Sequence, residues 1–280
     1  MIRRNIPGRD TQGMILLNVL VVVAIAAAAV TVMIVAQDIA VRRSIRLHDA
    51  AQAQAYGRAG ELSAMVALRR DGLTAPLVDT MSEPWAQIGQ RTITIPRGRF
   101  ALSITDEQAR FNVNSVARGD PISSFALTNI GEAAGVPRTT INFIAATVLT
   151  VGPLRDDGPL RTAGVDPADL DRLAPYIVFL PQTATLNVNT ADPVLLSVIL
   201  QDPAVVRGVL VRRSQGGLTP EEVGALGATG LTGSSSSHFR VETTVQVGDV
   251  VRRTSSRVAR EVTPSGPRVA VVARRRLPAG

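Results

Sequence analysis

Ser234 to Ser237 run directly into His238, placing hydroxyl nucleophile types beside the one imidazole near them in sequence. Adjacency in a polar run supplies neither a base held against a chosen hydroxyl nor a third group to orient that base, so no hydrolytic triad can be drawn from it. Carboxylates gather at Asp106–Glu107, at Asp156–Asp157 and at Asp166, Asp169 and Asp171. Carboxylate oxygen suits calcium, but none of these groups has EF-hand spacing, and turns, helix caps and solvation account for the same residues. The other histidine, His48, falls in a presumed helix, and the chain has no cysteine, so local spacing builds no histidine-rich metal centre and stability cannot rest on disulfides or thiolate-bound metals. No G-x-S-x-G elbow, P-loop, dinucleotide fingerprint or H-E-x-x-H helix occurs. The expectation is a protein that is not an enzyme.

The polar residues with a repeated pattern are asparagines. Ala109–Arg110–Phe111–Asn112–Val113–Asn114–Ser115 is echoed by Ala184–Thr185–Leu186–Asn187–Val188–Asn189–Thr190. In both runs the side chains of Asn112, Asn114, Asn187 and Asn189 can bond nearby backbone and fix a turn, while the apolar residues between them face a core. The single tryptophan, Trp85, lies in Glu83–Pro84–Trp85–Ala86 within a turn-rich segment and reads as a structural anchor for that loop.

The element that positions all of these is the chain's apolar start. Met14 to Ala36 is a run of 23 residues in which only Asn18 and Thr31 are clearly polar. As a helix it spans roughly 35 Å, enough for a hydrocarbon core of about 30 Å. Arg3, Arg4 and Arg9 precede it and Arg42, Arg43 and Arg46 follow, so charge counting leaves the orientation undecided. A cleaved secretory signal, a permanent anchor and a pilin-like segment trimmed at its cytosolic edge all remain open on these grounds; the run exceeds the usual 7 to 15 apolar residues of a signal peptide.

Without proline from Gln37 to Arg70, the helix is expected to continue to about Arg70, with Tyr56, Leu62, Met65, Val66 and Leu68 at helical spacing, Gly57 and Gly60 as points of bending, and Asp71–Gly72 as its stop. Thr92–Ile95 and Phe100–Thr105 read as two strands. From Asp120 to Leu180 the pattern is helical, with Asp166–Pro167 as a cap, and further helix starts occur at Asp192–Pro193, Asp202–Pro203 and Thr219–Pro220. Gly230–Ser237 reads as a flexible connection, and Phe239–Val247, Val250–Val262 and Arg268–Arg276 as strands completing the first sheet.

Six Phe, two Tyr and one Trp are few for a head of this size, so its core must rest on Val, Leu, Ile and Ala. The net charge of +7 is carried by arginine in short runs typical of solvated faces, and with so few aromatics for base stacking a nucleic-acid role is not expected.

At Gly13–Met14–Ile15–Leu16–Leu17–Asn18, with Arg9 upstream, the chain resembles a class III prepilin leader, in which a prepilin peptidase cuts after the glycine and methylates the new amino terminus at Met14. Major pilins and most pseudopilins have glutamate at the fifth mature position, which here is Asn18. The K-type minor pseudopilin of the type II secretion system lacks that acid. The chain resembles this family also at Glu83–Pro84–Trp85–Ala86, from Thr105–Asp106 to Asn114, and at Leu186–Asn187–Val188–Asn189–Thr190–Ala191 before a helix.

The resemblance implies an α+β fold: a long N-terminal transmembrane pilin helix and a pilin-like head with an antiparallel sheet, interrupted by an inserted all-helical domain. The expected divisions are a leader over 1–13, a membrane part over 14–36, a periplasmic continuation over 37–72, the first part of the head over 73–119, the helical domain over 120–180 and the rest of the head over 181–280. The implied place is the tip of the pseudopilus, in the inner membrane of a Gram-negative bacterium, with the amino terminus cytoplasmic and the bulk periplasmic. Implied partners are the I-type and J-type minor pseudopilins, the major pseudopilin, the prepilin peptidase, the inner-membrane assembly platform and the secreted substrate. Some members bind calcium in the head, although no motif here assigns its ligands. A minor pilin of a type IV pilus and a membrane-anchored periplasmic nucleic-acid-binding module stand as alternatives.

Overall fold

A computed structural model describes residues 10–90, 92–227 and 230–278; the expected leader up to residue 9 lies outside the described residues. Helix α1 runs unbroken over Asp10–Thr74, 65 residues or about 100 Å. Its first half touches nothing: every residue from Met14 to His48 is exposed, and Asp49 is the first buried one. Its second half lies on a five-stranded antiparallel sheet.

That sheet is built from β1 (Ile93–Ile95), β2 (Gly98–Asp106), β7 (His238–Val247), β8 (Val250–Thr263) and β9 (Gly266–Leu277), in that spatial order. The alternation in β7 buries Phe239, Val241, Thr243, Val245 and Val247 against the helix side, as the period-two pattern requires. β2 and β7 are neighbours, with Asp106 opposite Phe239, so everything from Glu107 to Ser237 is inserted between two adjacent strands.

The insert is helical: α3 (Pro121–Ala133), α4 (Arg138–Val151), α5 (Gly158–Thr162), α6 (Pro167–Leu173), α7 (Pro193–Leu200), α8 (Pro203–Ser214) and α9 (Pro220–Gly224). Asp166, Asp192 and Asp202 each cap the helix they precede, and Thr219 forms a capping box with Glu222. One continuous apolar cluster, from Phe111 and Val113 through Leu127, Ile144 and Leu173 to Leu195, Val209 and Leu231, serves all of these helices but is separate from the core beneath the sheet.

Three sequence expectations change. The face of α1 that meets the sheet is Ala53, Gly57, Gly60, Ala64 and Leu68, while Leu62 and Val66 are each 61% exposed. Small residues win because the helix axis runs close over the strands: a Cβ on Gly60 would stand 2.5 Å from Phe100 Cζ. The glycines therefore admit the sheet, and the helix passes through them unbroken.

Asp71–Gly72 does not stop the helix either. Gly72 is wedged against Arg260 and Pro267, and the Asp71 carboxylate is bound by Arg260, which holds one further turn in place. The segment after the helix is shorter in loop than its composition suggests, because Trp85 sits in the one-turn helix α2 (Pro84–Gln87). Its ring meets Phe239 edge-on with centroids 5.2 Å apart.

Gly60→Ala is expected to destabilise the head by about 1–3 kcal/mol through overpacking against Phe100, despite alanine's better helix propensity. Denaturant midpoints of the detergent-solubilised chain measure it; a midpoint equal to or above that of the parent would show that the helix can lift off the sheet at no cost.

Candidate functional site

The two asparagine turns do the same thing twice. In the first, β3 (Phe111–Asn112) pairs in parallel with β4 (Ile177–Val178); in the second, β5 (Leu186–Asn187) pairs in parallel with β6 (Thr232–Gly233). The leading asparagine closes the turn: Asn112 Oδ1 accepts from the Asn114 amide at 3.2 Å, and Asn187 Oδ1 from the Asn189 amide at 2.9 Å. The second asparagine grips both main-chain groups of one distant leucine. Asn114 accepts from Leu154 N at 2.8 Å and donates to Leu154 O at 2.7 Å; Asn189 accepts from Leu218 N at 2.7 Å and donates to Leu218 O at 3.0 Å. All four side chains are buried, so each bond satisfies a group that water cannot reach. These residues organise the insert and perform no chemistry.

Asn187 also reaches the sheet domain. Its Nδ2 donates to Asp79 O at 3.1 Å, Asp106 Oδ2 at 3.2 Å and Ser236 Oγ at 2.9 Å. Asp106 accepts further from Thr190 Oγ1 at 2.5 Å, Ser236 Oγ at 2.7 Å and the Gln108 amide at 2.8 Å. Burial pushes the Asp106 carboxyl up to about 6 in spite of these donors. From Asp79 the network passes to Arg260, whose guanidinium binds Asp71 Oδ2 at 2.7 Å, Asp79 Oδ1 at 2.6 Å and Ser236 O at 2.7 Å, and lies 5.0 Å from the Phe239 ring centroid.

The serine run is thus structural. Ser234 Oγ donates to Leu77 O at 2.7 Å, Ser236 serves Asp106, and Ser237 Oγ donates to Gln108 Oε1 at 2.9 Å as well as meeting His238 Nδ1 at 2.9 Å. This corrects the flexible connection expected for Gly230–Ser237: the Leu77 carbonyl, Asp106 and Gln108 take the hydroxyls of Ser234, Ser236 and Ser237. Glu107, wholly buried, is held by Arg240 and Arg257. Burial would raise its carboxyl, but the Arg257 and Arg240 charges together keep it below the usual carboxylate range.

The described residues gather one acidic group with metal-like geometry, Asp71, Asp79 and Glu83, with a ligand oxygen of each within 4.8 Å of the others. It lies apart from the acidic runs visible in the sequence. The donor set is all oxygen, the ligand type that calcium takes, so these three residues would hold such a divalent ion. Arg260 already neutralises part of it, and Glu83 Oε2 accepts from Thr80 N and Trp85 Nε1 at 2.9 and 2.8 Å. The remaining negative charge shows in Asp71, whose carboxyl is pushed up to about 7 by burial and by neighbouring Glu83 and Asp79, against the pull of Arg260.

Asn18 and Met14 stand far from all of this, exposed in the free half of α1. Met14–Thr74 contains a window of mean hydropathy 3.0 with none of it buried, the one such span among the described residues.

No protein-family model matches the chain. A type II secretion system protein K of Klebsiella pneumoniae is 30% identical over 226 residues, covering 65% of this chain and 67% of that protein. The chain belongs to the type II secretion system protein K family. A second protein K, from Pseudomonas aeruginosa, is 28% identical over 287 aligned residues and 86% of each chain. A chain in the crystal structure of the GspK–GspI–GspJ complex from the enterotoxigenic Escherichia coli type 2 secretion system shares the fold, with a TM-score of 0.67 at 20% identity over 85% of this chain and 100% of that one. As a protein K, the chain is a non-enzymatic minor pseudopilin, in keeping with the serines and His238 engaged as structural groups.

Arg260, Asp71 and Asp79 had no sequence signal: Arg260 is 181 residues from Asp79 and 189 from Asp71, and an arginine in a strand reads as solvated. Asn114→Ala and Asn189→Ala are each expected to cost about 2–4 kcal/mol, since each leaves a buried main-chain pair without partners; chemical denaturation measures it.

A raised carboxyl pKa contributes stability that is complete below its unfolded value of 3.8 and lost as pH rises through about 7. Asp71→Asn, which keeps an acceptor for Arg260, is therefore expected to gain on the parent by on the order of 2 kcal/mol from pH 4 to pH 8. Parallel melting curves across that range read the difference.

Proposed function

We propose that this chain caps the tip of the type II secretion pseudopilus, initiates its assembly and assists protein export across the outer membrane. The observation that carries the reading is the bare first half of α1: from Met14 to His48 it is exposed, and Met14 to Ala36 is apolar on every side. Such a surface is stable only in lipid or against other helices. The helix is held in the inner membrane with its amino terminus cytoplasmic and the head periplasmic. A prepilin peptidase cuts between Gly13 and Met14 and methylates Met14, and the assembly platform then extracts the helix into contact with its neighbours.

Asn18 supports the terminal position. A carboxylate at that point pairs, in a filament core, with the charged amino terminus of an adjoining subunit, an interaction strong enough to offset desolvation only with the charge present. Asn18 has no charge to offer, and a subunit with no neighbour above it needs none.

The complex that contains the structural relative names the I and J components, which supports I-type and J-type minor pseudopilins as partners; the major pseudopilin below them and the secreted substrate at the exposed head belong to the same proposal. For the divisions of the chain, we take 120–180 as the first part of a helical unit whose shared apolar cluster extends from Phe111 to Leu231. Arg240, Arg257, Arg260 and Arg274 are bound to carboxylates, which argues against a nucleic-acid face.

Cross-linking in secreting cells tests the reading. The parent chain is expected at one end of the filament, joined to I-type and J-type subunits, and Asn18→Glu is expected to appear along the shaft as well. Equal distribution of the two proteins would reject the role of Asn18, and no cross-link to either partner would reject the tip assignment.

A further inference from the structure

Beside α1, a cavity of about 210 Å³ opens between the helix and strands β8 and β9, lined by Gln54, Gly57, Arg58, Glu61, Arg252, Thr254, Arg274 and Arg276. Four guanidinium groups face one carboxylate there. The only ion pair within it, among the described residues, is Arg274 with Glu61, and Glu61 is further engaged by Ser256 Oγ at 2.5 Å. Arg252 donates from Nη1 to Gln54 Oε1 at 2.7 Å, but its Nε is buried and has no acceptor. A buried charged donor without a partner costs more than an ordinary missing hydrogen bond.

Arginines at a sheet edge ordinarily need no ligand, since charge on an edge strand blocks unwanted pairing. That accounts for Arg275 and Arg276 on β9. Arg252 instead pairs with Val245 of β7 one position beyond the last β8–β9 pair, Arg253 with Leu277, and its guanidinium reaches Gln54 on α1. Arg252 is also crowded by its own kind: after the effect of burial, Arg276 and Arg58 lower its pKa further.

We propose that this pocket is a receptor for the carboxylate of an acidic side chain presented by a neighbouring polypeptide. The surroundings select that occupant. Four guanidinium groups against one carboxylate call for an anion, and no aromatic residue lines the cavity for a base to stack on. Gln54 stands 18 residues beyond Ala36, about 27 Å along the helix and well outside the Debye length from a membrane surface, so lipid headgroups do not reach it while the helix is membrane-embedded. The incoming group meets the guanidinium groups of Arg58, Arg252 and Arg276 together, with the planar fork of arginine suited to two carboxylate oxygens. That the polypeptide is an adjacent filament subunit rests on the function proposed above; the acidic receptor itself does not.

Titration calorimetry of the detergent-solubilised full chain with an end-capped hexaglutamate peptide tests the pocket. The expected result is saturable binding that weakens by about tenfold or more in Arg276→Gln and in Arg252→Gln, is only partly restored in Arg252→Lys, which keeps the charge without the fork, and is unchanged in the double variant Arg43→Gln, Arg46→Gln on the free helix. Arg276 is exposed at the strand end, so its variant remains informative if Arg252→Gln fails to fold. Absence of binding, indifference to both pocket arginines, or inorganic phosphate binding as tightly as the peptide would overturn the proposal. Peptide binding combined with lost I-type and J-type cross-links would instead reject the filament role and leave the receptor standing.

Discussion

The buried guanidinium of Arg260 is the constraint on which the head depends. It joins the last turn of α1 through Asp71, the following loop through Asp79 and the serine segment through the Ser236 carbonyl, while packing over Phe239 of the sheet. Taking one arginine and two carboxylates out of water is costly, and such an arrangement is stable only when every charge is met by geometry of this quality. Asp79 then passes the connection to Asn187 and Asp106, so the helical insert and the sheet share one polar network where their apolar cores are separate. A polar junction of this kind sets orientation, because its bonds are directional in a way that apolar contact is not.

The helix illustrates how one element serves two environments. Beyond Asp49 it presents alanine and glycine to the strands and approaches them closely; before that point it presents valine, leucine and isoleucine to nothing in the chain. The first arrangement is folding within a molecule and the second is unfinished until lipid or other helices cover it. A protein K can be stable as a head and still carry a surface that drives its insertion and assembly.

The insertion is less of an interruption than its length suggests. β2 and β7 pair along nine positions irrespective of the residues between them, and the two asparagine turns give the insert its own repeated closure. In each, an asparagine replaces a strand partner for a single leucine. Of the acidic groups that cluster in sequence, Asp106 and Glu107 become buried partners in the network and its ion pairs while Asp157 and Asp166 form a surface ion pair and a helix cap, whereas the group able to hold a cation is assembled from three points around the end of α1.

By itself the sequence determined the elements with local causes: the long apolar helix, the strands with alternating residues from Phe239 to Val247, the helix starts at Asp166, Asp192, Asp202 and Thr219, and the asparagine turns that carry the family resemblance. These follow from periodicity, capping and side chain to backbone bonding within a few residues. Only the tertiary structure decided which face of α1 is buried, that the serines of Gly230–Ser237 are held by Leu77, Asp106 and Gln108, and that Arg260 is buried at all. Each of those depends on groups tens to hundreds of residues apart, and an arginine's surroundings, unlike a helix cap, leave no mark on its neighbours in the chain.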